Sequence, residues 1–486
     1  MSYLFDLVHA MSDKEESALQ SYYAVNESNS NIDYNKGRWR LFELLKSVNK
    51  EPTNKELAKM LFDENRSITR ITTLKTRLRK DIVNVFVLLS GKEQYKTKKF
   101  AVRYEIRQEI IEAEILLSRG FDELAFGLLR SLEKRSKKFE LTYERMHILD
   151  LLQDNHGIRS SLKKFERYSE EKGQELGLLA SKYQAKRLYQ EATLPSFFSA
   201  SQEARNTEKS EILVKRIADI YNETGSLEIY SLYLRGKAFL DFSSGSLTTA
   251  KALVQEYLKL LEDNVHLQSN STIAGANMQL SMLTLSQEQY SESILYSKKA
   301  VQYFAKGSQN MVSALSNLFL AYLHLGYLED ASRTLDKARR VELTKRDSFQ
   351  SSIWSYYNAA LKFRQGDIDS ALFQLQKKSQ LLVDRQGYSI GYKLLEIMCY
   401  LEQHRFDMVE FRVDALSRQI RRASANDQPR LRAVASYFRQ MVDVHPDPAK
   451  VDSILSVMST EKWDPMGYEL VDTSVWCNEF WARNKN

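Results

Sequence analysis

The sequence predicts an all-α protein, a right-handed α-solenoid of helical hairpins behind a small N-terminal helical domain. Three observations carry that expectation. Only six prolines interrupt 486 residues, so long tracts keep every backbone donor that a helix needs. A spacing of turn residue, large apolar residue and small residue recurs through the second half of the chain. Finally, 43% hydrophobic and 27% charged residues supply apolar area for a sizeable core and set the chain apart from disordered ones.

Residues 1–95 form the N-terminal helical region and do not follow the repeat. In "EPTNKELAKMLFDENRSITRITTLKTRLRKDI", a proline and Thr53 precede one apolar-periodic helix, and Ser67 opens a second after a polar turn. On the second helix Ile68, Ile71, Leu74, Leu78, Ile82 and Val85 share a face, while Arg66, Arg70, Arg77 and Lys80 project from the opposite one. The whole chain carries a net charge of +7, yet residues 66–103 alone hold eleven Lys or Arg against Asp81 and Glu93. The basicity is therefore local. Two short helices with a basic second face fit a helix-turn-helix, whose second helix would enter a major groove while cations meet phosphates. The turn "FDENR" is longer than that motif's and lacks a glycine, so a solvated amphipathic helix leading into a basic linker is the other reading.

Residues 96–445 hold the hairpins. From Gly326, Leu328 lies two residues on, Ala331 five on and Ala338 twelve on. The first two offsets recur from Gly245 with Leu247 and Ala250, and from Gly366 with Ile368 and Ala371. Glu288, followed by Tyr290, Ser293 and Ala300, and His404, followed by Phe406, Val409 and Leu416, take the turn position without glycine. A weaker copy sets Phe121 and Leu124 against Arg119. The residue types have a physical reason. The turn residue permits a sharp reversal, the large apolar residue fills the wedge, and the small one lets the second helix cross closely. Between Ser136 and Asn222 the composition is helical without a readable phase.

These hairpins resemble tetratricopeptide repeats, most closely over Asn317–Ala338, where Leu318, Tyr322, Gly326, Ala331, Leu335 and Ala338 fall at that family's signature positions. The turn positions are 38 to 43 residues apart, longer than the family's period of about 34. With its N-terminal region the chain also resembles a bacterial group of divergent repeat proteins to which no activity is attached. The resemblance implies that the first helix of each hairpin lines a groove, placing Phe239, Met282, His324, Tyr356, Phe363, Arg364 and Met398 there, with Leu232, Arg235, Met278 and Leu394 beside them. Such a groove suits an amphipathic helix or extended peptide. It lacks the Lys and Asn set that clamps a peptide's terminal carboxylate. Packing of the same side chains between neighbouring helices is the other reading.

Residues 446–486 differ in being aromatic-rich, and Trp463, Trp476 and Trp481 are expected to form a helical cap on the last repeat, as a solenoid end requires.

Catalytic signatures are missing: there is no phosphate loop, HExxH, GxSxG or paired CxxC, and the seven histidines are scattered. No enzyme activity, cofactor or metal is expected, although a helical fold could assemble a site from distant residues. Two cysteines without paired spacing suit a reducing cytoplasm. The longest apolar run, Ile82–Leu89, is too short to span a bilayer, and the first residues lack a basic leader, so no membrane partner is expected. The function expected is a protein-interaction scaffold or adaptor, with a protein or peptide in the groove. The alternative is a regulator whose basic helix contacts DNA while the solenoid senses a partner.

Overall fold

A computed structural model describes residues 3–26, 32–62, 68–89, 98–157, 162–198, 203–341, 348–376, 386–422, 429–443, 445–460, 463–467 and 469–484. Every regular element among them is helical. Backbone contacts divide the chain into two units, Met1–Tyr104 and Glu105–Asn486. No described helix is long and apolar enough to cross a membrane.

The first unit contains α1 (Tyr3–Ala10), α2 (Asp13–Asn26), α3 (Ile32–Ser47), α4 (Asn54–Leu61) and α5 (Ile68–Leu89). Thr53 caps α4 as its position predicts: its hydroxyl accepts from the Glu56 N–H, and the Glu56 carboxylate accepts from the Thr53 N–H at 2.7 Å. Helix α5 is the element the others pack on, burying Ile71, Leu74, Leu78, Ile82 and Val85 against α1–α4. Asp81 is drawn into that core. Its carboxylate accepts from the Tyr23 hydroxyl at 2.9 Å and from Arg38 at 2.6 Å, tying α2 and α3 to α5. Ser67 and Arg66 lie outside the described residues.

Helix α6 (Lys98–Ser118) runs across the division. The second unit then continues through α7 (Asp122–Lys138), α8 (Thr142–Leu151), a π-helical turn (Leu152–Gly157), α9 (Leu162–Phe198) and α10 (Glu203–Thr224). Beyond these come the hairpins read from the sequence: α11 (Leu227–Ser243) with α12 (Leu247–Asp263), α13 (Asn270–Ser286) with α14 (Tyr290–Tyr303), and α15 (Gln309–Leu325) with α16 (Leu328–Arg339). They continue with α17 (Ser348–Arg364) and α18 (Ile368–Leu375), α19 (Gln386–Glu402) and α20 (Phe406–Arg422), and α21 (Pro429–Gln440) and α22 (Pro448–Thr460). Helix α23 (Thr473–Asn484) ends the chain.

One backbone device makes most of these turns. Gly120, Glu140, Gly245, Glu288, Gly326, Gly366 and His404 all have positive φ, and the residue after each donates its N–H to the carbonyl five residues before that donor. At Gly326 the bond runs from Tyr327 to Tyr322 at 2.9 Å. Five residues past the turn, Ala250, Ser293, Ala331, Ala371 and Val409 are all fully buried, as close helix crossing requires. The sequence reading needs one correction here: Gly120, not Arg119, is the left-handed residue. The register therefore shifts by one, Ala125 takes the buried small position, and Phe121 and Leu124 stay 53% and 65% exposed.

Because φ at Gly326 is +82°, a side chain there is strained even though nothing crowds the position. Gly326→Ala should lose about 1–2 kcal/mol in urea unfolding. His404→Gly, at a turn with φ +54°, should gain stability by the same argument.

Glu140 does more than turn the chain. Its carboxylate accepts from Ser226 Oγ at 3.1 Å and pairs with Lys182 at 3.3 Å and His266 at 3.5 Å, joining the corner after α7 to α9 and α11. Burial alone would raise its pKa, but these partners hold the carboxyl at about 2.

Candidate protein-binding face

First helices of neighbouring hairpins touch, α13 against α15 and α17 against α19, and Phe319 on α15 stacks on Tyr357 of α17 at 5.0 Å, so α13, α15, α17 and α19 form a row. The expected groove residues stand in different environments. Phe239 on α11 and Met282 on α13 are half-buried, Arg364 is exposed, and Tyr356, Phe363 and Met398 are 1%, 7% and 1% exposed. Arg235 is held between the Tyr189 and Tyr257 rings, at 4.7 and 5.9 Å from their centroids, so it packs between α9 and α12.

What covers Tyr356, Phe363 and Met398 is the chain itself. Residues 463–467 and 469–484, here called the strap, run against α15, α17, α19 and α21. His324 Nε2 donates to the Pro465 carbonyl at 3.1 Å, with its ring edge-on to Trp463 at 4.8 Å. The Tyr356 hydroxyl is hydrogen-bonded to the Leu470 backbone. Trp476 meets Phe363 at 6.2 Å and donates its indole N–H to Glu402 at 2.8 Å, and Arg483 reaches the same carboxylate at 2.7 Å. Thr473 Oγ1 lies 3.9 Å from the Met398 sulfur.

Helix α21 holds the strap by charge. Arg430 forks onto both oxygens of Glu469, at 2.5 and 2.8 Å, and also reaches Asp472 at 3.3 Å and Ser474 Oγ at 3.2 Å. The Tyr437 hydroxyl donates to the Cys477 carbonyl at 2.8 Å. Four of the expected groove residues, His324, Tyr356, Phe363 and Met398, are thus brought together by one segment. Sequence reasoning missed Glu402, Arg430 and Tyr437. A charge such as Arg430 on an otherwise core-facing helix is a sign that an acidic partner lies elsewhere in the chain.

Enclosure by the strap moves the His324 pKa down to about 4, burial being the main cause and the nearby Arg364 charge adding to it, against the Pro465 hydrogen bond. The sign follows directly. A histidine whose folded pKa is depressed contributes stability that is present above its ordinary value near 6.5 and lost as pH falls toward 4. Acidification from pH 7 to 5 should therefore loosen the intact chain by about 2 kcal/mol more than it loosens a His324→Gln variant. Parallel urea titrations read by tryptophan fluorescence check this, and equal pH slopes in the two proteins would sink it.

The basic helix is a separate matter. Arg77 and Lys80 are exposed on α5, while Arg70 is half-buried with its guanidinium 5.0 Å from the Phe62 ring. Among the described residues no group of three or more His, Cys, Asp or Glu is placed to hold a metal ion. Cys399 and Cys477 are free, buried thiols whose pKa burial pushes up.

No protein-family model and no curated protein sequence matches the chain. Among solved structures it is similar to a Rap protein complexed with Competence and Sporulation Factor, with TM-score 0.44 and 11% identity, over 78% of this chain and 93% of that one. It is also similar to a signal-transduction ATPase with numerous domains and a tetratricopeptide-repeat sensor from Pyrococcus horikoshii, with TM-score 0.33 and 16% identity, over 76% of this chain and 52% of that one.

Proposed function

We propose that this all-α, tetratricopeptide-like helical-repeat protein is a non-catalytic interaction scaffold, acting in the cytoplasm, in which a partner's peptide segment takes the place of the strap on the first-helix row. The observation that carries this reading is the strap's own mode of attachment. Aromatic rings enter between helices while Arg430 and Glu402 take up a carboxylate and an indole donor, which is how repeat faces hold peptides. A partner segment of the same character, aromatic with acidic residues, would compete for the same contacts.

The test is affinity capture from native lysate with two baits, the intact chain and a chain ending at Thr460, each with and without nuclease. A protein enriched on the shortened bait, retained after nuclease and displaced by a synthetic peptide of residues 463–484, supports the reading. If the shortened bait is folded and captures nothing that this peptide displaces, the reading fails.

A further inference from the structure

We propose that the exposed face of α5 is a major-groove surface for duplex DNA. The helix carries five cations, Arg70, Lys75, Arg77, Arg79 and Lys80, against a single acidic residue, Asp81. The fold removes that acid from the surface: Asp81 is 5% exposed and bonded to Tyr23 and Arg38. What faces solvent is Thr69, Thr72, Thr73 and Thr76 along the middle of the helix, with Lys80 in line and Arg77 and Arg79 on either flank. Thr73 and Thr76 turn their hydroxyls back onto the Thr69 and Thr72 carbonyls, which leaves their methyl groups outward. A threonine centre bordered by cations matches a groove whose floor carries thymine methyls and whose walls are phosphate.

Other anionic partners fit less well. Inserting into a lipid surface requires the apolar face of an amphipathic helix, and here Ile71, Leu74, Leu78, Ile82 and Val85 are 0–4% exposed inside the unit. Among the α5 side chains that are described, Val83 is the one large apolar residue exposed. The deep, narrow major groove of duplex RNA does not admit a helix about 10–12 Å across, whereas that of B-DNA, about 12 Å wide, does. Helix α5 is also rigidly carried, since α2, α3 and α4 all pack on it.

The experiment is fluorescence anisotropy of the full chain with a short labelled DNA duplex, repeated between about 50 and 200 mM salt. Binding should weaken steeply with salt. The triple variant Arg77→Ala, Arg79→Ala, Lys80→Ala should bind at least about tenfold more weakly, with the slope of log affinity against log salt smaller by about 2–3. Thr72→Glu with Thr76→Glu, which adds charge on the same face without removing a cation, should also abolish binding. Circular dichroism confirms that each variant is folded. The proposal is overturned if duplex DNA does not bind at the lowest salt, or if neither folded variant changes the affinity. It is equally overturned if single-stranded RNA or phosphatidylserine vesicles bind as tightly as the duplex.

Discussion

Replacing Trp476 by alanine is expected to cost about 3–5 kcal/mol of stability, the range for removing a large ring from a packed core. The indole is 5% exposed and touches rings on three helices: Phe363 on α17 at 6.2 Å, Phe438 on α21 at 6.5 Å and Phe480 on α23 at 4.9 Å. Its N–H bond to Glu402 would also be lost, although Arg483 keeps that carboxylate paired. The control is Val475→Ala, one residue earlier but 53% exposed, which should change stability by no more than about 0.5 kcal/mol. Urea unfolding of both variants measures the contrast. A Trp476→Ala loss below about 1 kcal/mol would mean that the strap is detached in solution.

An effect of similar size is expected at Arg145, far from the strap. This side chain, 6% exposed on α8, bonds Glu133 on α7 at 2.9 Å, Glu171 on α9 at 2.8 Å and Glu175 one turn further along α9. Helix α8 is thus joined to both neighbours through one guanidinium. Arg145→Met keeps most of the volume but leaves three carboxylates facing one another, and should cost about 3–5 kcal/mol at pH 7. Removing the repulsion identifies the cause: further substitution with Glu133→Gln and Glu171→Gln should recover part of the deficit at pH 7. A deficit unchanged by those substitutions would assign the effect to packing.

The hairpins were legible because their turns impose strict local demands. Glycine at 245, 326 and 366 answers the need for positive φ, and a small residue five positions on answers the need for close helix approach. The pattern was harder to follow where another residue tolerates the same backbone. Glu288 and His404 were found only through their offsets, and Glu140, with Arg145 rather than a small residue five on, was missed. The strap's partners could not be read. Its hydrogen bonds to α15, α17, α19 and α21 join residues 39 to 141 positions apart, and such pairings leave no period in the sequence. Tyr356, Phe363 and Met398 were placed in a groove by what the repeat resemblance implies, with no sign that the chain itself packs over them. Of the tryptophans expected in a cap, Trp463 meets His324 on α15 and Trp476 meets Phe363 on α17.

The order in which the strap contacts are made carries a consequence for biosynthesis. Helices α15, α17, α19 and α21 leave the ribosome before residues 463–484 have been made, so Tyr356, Phe363 and Met398 emerge with nothing to cover them. A message truncated ahead of codon 463 would yield hairpins with complete turns and an uncovered aromatic face, the kind of surface that chaperones hold and that aggregates grow from.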